Sequence, residues 1–172
     1  VWMHNGFLQV EGEKMSKSLG NFVTINELLQ DWRGPEIRLL MLSTHYRQPI
    51  NWTRTGLAEA RSTWRDLVLA TNDVKPSENL PHELIDRISD DLNTPAAISF
   101  LHELKDKAQK GDVNARRDLL KGLEFFGLVL PWSWLDELPS DYINPNASPE
   151  EFYSVLFNKG NGDALVKPLV LK

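Results

Sequence analysis

Apolar residues recur at helical spacing from Thr24 to about Leu130, in successive runs bounded by residues that are typical of helix ends. A helix with one apolar face must bury that face against a neighbour, and short connections favour packing between successive helices. This pattern constrains the fold more than any other feature of the 172 residues. It predicts a mostly α fold in which the helices form a bundle.

Capping and breaking signals predict where the first helices begin and end. Thr24 and Glu27 fit a capping box, and Gly34 is expected to end the first helix in a left-handed conformation. Pro35 suits the first position of a second helix. That helix is expected to continue until Gln48-Pro49, where proline removes a backbone donor.

The later helices are expected at about residues 57–71, 82–89, 94–111 and 112–130, with a last short helix at 149–158. Thr94 and Asp112 are the expected N-caps of two of them, with Pro95 in the first turn. The segments between the helices are rich in turn-forming residues and are expected to be loops: PINWTRTG at 49–56, residues 71–81 and residues 131–149.

The first ten residues differ from the rest because they favour strands. Val1–Met3 and Phe7–Val10 are rich in strand-forming residues, and Asn5-Gly6 between them favours a tight turn. Two short strands are marginal in water by themselves. We therefore expect them to be a remnant of a larger sheet.

Composition excludes several classes of site and protein. The chain has no cysteine, so it has no disulfide framework and no thiolate metal site, and its four histidines are too scattered to suggest a ligand cluster. No apolar run approaches the roughly 18 residues that span a membrane. These features predict no metal site, no membrane association and a cytoplasmic location.

Charge is distributed unevenly along the chain. The net charge of −5 argues against binding nucleic acid through the whole surface. Residues 33–65, however, contain six arginines and only two glutamates. Because arginine suits bidentate contact with phosphate, this block is a candidate nucleic-acid contact. A solvated helix face with Arg–Glu pairs explains the same composition, and charge alone does not separate the two.

The segment GEKMSKSLGN, Gly12 to Asn21, has the composition of an anion-binding loop. Lys14 and Lys17 supply mobile positive charges beside serine hydroxyls and exposed backbone N–H groups. Gly12 and Gly20 allow the backbone to change conformation. Such a loop can close on polyphosphate and neutralise charge that develops on a leaving group.

Three motifs together carry a resemblance to a known family. Lys14–Ser18 is KMSKS, the signature loop of class I aminoacyl-tRNA synthetases. The segments HYRQPIN at His45–Asn51 and DDLNTP at Asp90–Pro95 are similar to segments of cysteinyl-tRNA synthetases in particular. From Val1 to about Trp134 the chain resembles that family. The resemblance implies stem-contact helices and a DALR-like anticodon-side bundle, attached to a short β remnant of a Rossmann-type catalytic domain.

The resemblance also implies an activity and roles for residues. The family activates cysteine with ATP to cysteinyl-adenylate and transfers the cysteinyl group to tRNA(Cys). By position, Lys17 is expected to contact the ATP phosphates, with Lys14 as a weaker partner. Other expected ATP-site residues are Ser16, Ser18, His4 and Gly6. The block arginines are candidate tRNA contacts: Arg47, Arg54, Arg61 and Arg65. His45 and Arg47 could instead hold a helix end, and Tyr46 between them, which looks like a packing residue, slightly favours that structural role.

The domain organisation is expected to follow the family. Residues 1–21 would end the nucleotide-binding domain, 22–70 would be the stem-contact region, 71–134 the helical bundle, and 135–172 an irregular, divergent or truncated tail. The family's zinc ligands and its HIGH-type motif would lie upstream. We therefore expect a monomeric distal portion that needs the N-terminal catalytic half for activity and binds no zinc itself.

Two other interpretations use the same residues. A fragment of mycothiol cysteine ligase would share the KMSKS loop but need no tRNA, and methionyl-tRNA synthetase has a similar loop without the expected DDLNTP segment. A free-standing helical module could instead bind tRNA without chemistry. The intact Lys14 and Lys17 argue against the last, because a pure binder has no use for a pyrophosphate-handling loop.

Overall fold

The computed structural model describes residues 2–129, which form three short strands and six helices. The strands are β1 (Leu8–Val10), β2 (Glu13–Lys14) and β3 (Ile50–Trp52). The helices are α1 (Ile25–Asp31), α2 (Gly34–Leu42), α3 (Arg54–Leu69), α4 (His82–Ser89), α5 (Thr94–Gln109) and α6 (Val113–Phe125). The mostly α fold with a small β portion is confirmed. The predictions for Val1 and for residues 130–172, including a helix at 149–158, lie outside the described residues.

The small sheet has the order β2-β1-β3 and differs from the predicted hairpin. The two-residue turn lies at Glu11-Gly12, where both φ angles are positive (49° and 87°), as a tight hairpin turn requires. The prediction of a turn at Asn5-Gly6 was wrong, because the Gly6 amide instead donates to the Tyr46 carbonyl at 2.7 Å. The third strand, Ile50–Trp52, runs parallel to β1 and comes from a segment predicted to be a loop.

The helix ends follow local capping chemistry. The capping box at Thr24 is confirmed: its hydroxyl accepts from the Glu27 amide at 3.2 Å, and its own amide donates to the Glu27 carboxylate at 2.7 Å. Gly34 begins α2 instead of ending α1, because the chain leaves α1 through an extended Trp32. Helix α2 ends at Leu42, before the predicted stop at Gln48.

Side-chain caps also define α5 and α6. Asn93, rather than Thr94, caps α5, since its side-chain oxygen accepts from the Ala96 amide at 3.1 Å. The predicted cap at Asp112 is confirmed by its bonds from the Asn114 and Ala115 amides. The observed and predicted starts of α5 therefore differ by one residue.

One hydrophobic core joins the helices on both sides of the 71–81 connection. It includes Leu39 of α2 and Trp64 of α3 together with residues of α4, α5, α6 and the segment that follows α6. The Trp64 indole N–H donates to the Leu128 carbonyl at 2.8 Å in the interior. Arg38 of α2 donates to the Gly127 carbonyl at 3.0 Å, just past the end of α6. Residues 34–42 and 54–129 therefore form one packed helical body, and the sheet and the 43–53 connection lie beside it.

Candidate functional site

The loop that follows β2 is held in shape by its own polar groups. The Asn21 side chain accepts from the Ser16 amide at 2.9 Å and donates to the Lys14 carbonyl at 3.3 Å. The Ser16 and Ser18 hydroxyl oxygens lie 3.2 Å apart, and Ser16 Oγ also accepts from the Leu19 amide. We call residues 14–21 the lysine loop. Its serines and its asparagine are used to organise its own backbone.

The two lysines of this loop are exposed. The Lys14 ammonium lies 5.6 Å from the centre of the Phe7 ring, and the Lys17 ammonium lies 5.9 Å from that of Phe22. Contacts of this kind at the surface are weak, at about 0.5–1 kcal/mol. The ammonium groups can therefore leave the rings at small cost when a stronger anionic partner arrives.

The sheet carries the loop and ties it to the start of α3. The Met15 amide donates to the Leu8 carbonyl at 2.9 Å, so the loop begins directly at the edge of β1. At the other end of the hairpin, the Glu11 carboxylate accepts from the Arg54 amide at 3.0 Å. A carboxylate in this position offsets the positive end of the α3 dipole. The hairpin turn is thus anchored to the helical body.

Gly6 is held by close backbone contact with the turn at residues 45–49. A Cβ atom at position 6 would lie 2.0 Å from the Gln48 carbonyl oxygen, so only glycine fits there. The neighbouring His4 side chain is exposed. The structure thus gives the predicted Gly6 a packing role, while His4 is available to a ligand.

Residues of this turn also contact Asp91 in a cluster that sequence reasoning missed. We call its members, His45, Tyr46, Arg47 and Asp91, the Asp91 cluster. Arg47 contacts both carboxylate oxygens of Asp91, with Nη2 to Oδ1 at 3.0 Å and Nε to Oδ2 at 2.8 Å. The Tyr46 hydroxyl donates to Asp91 Oδ1 at 2.8 Å, and His45 Nε2 lies 3.0 Å from the Asp91 carbonyl oxygen. Two sequence motifs 45 residues apart thus meet.

The electrostatics of the cluster agree with its geometry. Hydrogen bonds from Arg47 and then from Tyr46 lower the pKa of the Asp91 carboxyl below its usual value. The same bond with Asp91 raises the pKa of the Arg47 guanidinium. The signal was present in the sequence, because Asp91 belongs to DDLNTP. That motif was interpreted there as helix capping, which Asn93 performs.

Arg61 is partly exposed and connects α3 with α1 and α2. Its guanidinium makes two contacts with the Glu36 carboxylate, at 3.0 and 3.2 Å, and a third with the Asp31 carbonyl at 2.8 Å. Glu36 is only 1% exposed, and the guanidinium also lies 4.3 Å from the centre of the Trp32 ring. The geometry therefore assigns Arg61 to the packing of α1, α2 and α3.

The four candidate tRNA-contacting arginines are thus in different environments. Arg47 is paired with Asp91 and Arg61 with Glu36. Arg54 and Arg65 have exposed side chains on α3. Because positions 54, 61 and 65 are separated by seven and four residues, they share one face of that helix. A basic contact at this face would use the exposed side chains of Arg54 and Arg65.

Within residues 2–129, no three His, Asp or Glu side chains come together as a metal site would need. None of the helices found there is both long and apolar enough to cross a membrane.

Comparison with known proteins gives a family match at the start of the chain. Residues 1–62 match the family described as tRNA synthetases class I (C) catalytic domain. This range contains the lysine loop, the sheet, and α3 up to about its middle.

Curated relatives extend the similarity into the helical body. A protein named Cysteine--tRNA ligase from Azorhizobium caulinodans is 57% identical over 138 residues, covering 75% of this chain and 29% of the relative. The proteins of that name from Afipia carboxidovorans and Rhodopseudomonas palustris are 52% and 43% identical, covering 73% and 98% of this chain. The chain spans about a third of the length of these relatives, between 27% and 34%.

Proposed function

Since the chain belongs to the cysteine--tRNA ligase family, we propose that it supplies the ATP-handling loop of such a ligase and the helices behind it that meet tRNA(Cys). The relatives named above all carry the ligase name, so neither mycothiol cysteine ligase nor a purely tRNA-binding module is favoured. The proposed reaction activates cysteine with ATP, releases pyrophosphate, and passes the cysteinyl group to the 3′ end of the tRNA.

Lys17 is the proposed catalytic group of this segment. When the cysteine carboxylate attacks the α-phosphorus of ATP, the bond to the bridging oxygen breaks and negative charge builds on the departing pyrophosphate. An ammonium group placed against those oxygens stabilises the transition state more than the ground state. Lys14 is the proposed second partner of the phosphates, and His4 and Gly6 would border the adenosine side.

One observation supports this proposal most: the serine hydroxyls and Asn21 form hydrogen bonds within the lysine loop, while both ammonium groups stay exposed. Ser16 and Ser18 are therefore proposed to shape the loop and to reach ATP only through it. The lysines remain free to move onto phosphate because their aromatic contacts are weak.

The tRNA side of the proposal rests on α3 and on the cluster behind the sheet. Arg54 and Arg65 are the proposed phosphate contacts, with Arg47 and Arg61 as residues that arrange the surface. Zinc, which the resemblance implies for the complete ligase, finds no fitting set of ligands among residues 2–129, and no step here runs through it. The cytoplasmic location and the monomeric state stay predictions.

The decisive experiment replaces the matching segment of the Azorhizobium caulinodans ligase with this chain and measures cysteine-dependent pyrophosphate exchange. Lys17→Ala is expected to lower kcat by about 100-fold or more, because removing one preorganised charge at a developing oxyanion typically costs 10²–10³. The KM for cysteine should change little, since the charge acts on leaving pyrophosphate.

Lys75→Ala is the matched control, because Lys75 is also an exposed lysine and lies far along the chain in the 71–81 connection. It should leave both constants unchanged. The role given to Lys17 would be overturned if Lys17→Ala lost kcat and cysteine affinity equally. Pyrophosphate exchange at the normal rate would overturn it as well.

A further inference from the structure

The Asp91 cluster joins the helical body to the backbone that carries the lysine loop. Asp91 lies in the turn between α4 and α5, whereas Tyr46 and Arg47 belong to the 45–49 turn that leads into β3. The Tyr46 carbonyl accepts from the Gly6 amide, and the Ile50 amide donates to the Phe7 carbonyl at 3.1 Å. A continuous series of short contacts therefore runs from Asp91 to the segment just before β1.

From β1 the series continues to the lysines. Leu8 pairs with Ile50 across the parallel ladder, and the Leu8 carbonyl accepts from the Met15 amide. Met15 directly follows β2 and lies in the lysine loop, two residues before Lys17. A displacement of the 45–49 turn would therefore shift the base of the loop, because backbone hydrogen bonds and strand pairing link the two.

The backbone at Asp91-Leu92 is in the left-handed region, which aspartate tolerates better than leucine does. Asp91 and Leu92 have φ angles of 52° and 54°, in the left-handed region that non-glycine residues seldom occupy. Leu92 is 48% exposed, so burial of its side chain gives little compensation. This turn conformation places the Asp91 carboxylate where Arg47 and Tyr46 contact it.

The tip of the hairpin is held by contacts that do not involve the Asp91 cluster. The Asn51 side chain accepts from the Gly12 amide at 2.9 Å, and Glu11 is bound by the Arg54 amide. These contacts hold the tip of the hairpin at Glu11-Gly12. The Asp91 cluster holds the opposite end, near Gly6, where the loop lysines emerge from the sheet.

We propose that Asp91 is a positioning residue for the lysine loop, which acts through Arg47 and Tyr46 on the 45–49 turn, Gly6 and β1. It fixes the base of the loop relative to the helical body, so that movement of the body alters the placement of Lys17. The mechanical coupling is a property of this chain, and its consequence for ATP chemistry rests on the proposed function.

The coupling is tested first by hydrogen exchange on the full chain, without any substrate. Asp91→Asn keeps the shape of the side chain and removes its charge. It is expected to speed exchange of the Gly6, Ile50 and Met15 amides by about five-fold, the size of effect that loss of one exposed ion pair with its hydrogen bonds can produce. Amides in the middle of α5, such as that of Leu101, should be unchanged.

Asp90→Asn is the matched control, because Asp90 is the adjacent exposed carboxylate and makes none of the cluster contacts. It should leave all these rates unchanged. Tyr46→Phe, which removes one hydroxyl alone, should give a smaller rise at the same amides. Unchanged exchange at Gly6 and Met15 in Asp91→Asn would overturn the proposal, and so would an equal rise in α5, which would mark general destabilisation.

The second measurement is pyrophosphate exchange by the Azorhizobium caulinodans ligase that carries this chain. Asp91→Asn should lower kcat about five-fold with little change in the KM for cysteine, and Asp90→Asn should not. The two proposals fail differently. Normal pyrophosphate exchange by Lys17→Ala would refute the proposed function and leave the hydrogen-exchange result standing. A large effect of Lys17→Ala together with a normal kcat for Asp91→Asn would refute the positioning role alone.

Discussion

The sheet with its loop and the helical body are stabilised in different ways. In residues 2–23 backbone and polar side-chain hydrogen bonds define the conformation, while Trp2, Leu19 and Phe22 remain 94%, 62% and 47% exposed. In residues 34–42 and 54–129 apolar side chains fill a continuous core, and Leu67, Leu101 and Leu119 are fully buried. The first region is thus held mainly by hydrogen bonds, and the second mainly by its buried core.

One region therefore exposes the lysines, and the other provides most of the stability. A loop held by its own hydrogen bonds can change shape at low cost, because few apolar contacts are broken when it opens. A packed body resists deformation, since its side chains interdigitate closely. The arrangement leaves the lysine loop free to change shape while its base is attached to a rigid support.

The largest effect should distinguish the two regions by leucine truncation. Leu101→Ala in α5 is expected to lower the free energy of unfolding by about 2–5 kcal/mol, because it leaves a cavity in the core. Leu19→Ala in the lysine loop should change it by less than about 0.5 kcal/mol. Urea unfolding of the full chain measures both, and similar losses for the two variants would contradict the division.

An intermediate effect should separate the arginines that support the body from those that are displayed. Arg61→Ala is expected to lower the free energy of unfolding by about 3 kcal/mol, because it removes the charged partner of the buried Glu36 carboxylate, although the Arg33 amide still donates to it. Arg54→Ala should leave stability within about 0.5 kcal/mol and weaken tRNA binding at low salt. Urea unfolding and a salt-dependent tRNA titration measure the pair.

The arginine comparison would fail if Arg61→Ala were as stable as the parent chain while losing tRNA affinity. That outcome would place Arg61 with the displayed residues, and its bond to Glu36 would then contribute little to folding.

The smallest effect concerns the pH dependence of the body. Burial, followed by repulsion from Lys105, lowers the pKa of His102 in α5 below 6.5, although Asp106 and Asp66 oppose the shift. The unfolded chain therefore binds a proton more readily, so this residue favours unfolding as the pH falls below 6.5. His102→Gln should lose less stability than the parent between pH 7.5 and 5.5. Urea midpoints across this range test it, and parallel curves would count against it.

The sequence predicted local features of the fold better than pairings between distant segments. The boundaries of α4 and the caps at Thr24 and Asp112 were predictable because neighbouring residues determine them. Strand β3 was missed since three residues, Ile50–Trp52, become a strand only through β1. Asp91 was missed for the same reason, because nothing near it in sequence indicates Arg47.

The predicted site residues divide along the same line. The composition of GEKMSKSLGN indicated an exposed cationic loop, and exposure is a local property of such polar residues. Sequence could not tell which arginines are engaged, because the partners of Arg61 and Arg47 come from other elements. The proposed boundary at residue 70 stays a prediction, although the core passes across it.

The indole of Trp64, bonded to the Leu128 carbonyl across the interior, has a consequence for how this segment can be rearranged. A gene exchange that joined α3 from one parent to α6 from a distant one would mismatch surfaces that fit each other only as a pair. We expect recombination points before α2 to give chimeric proteins that fold. Recombination within the 71–81 connection should give insoluble chimeric proteins. Evolution should therefore have transmitted α2 to α6 together, as a single heritable block.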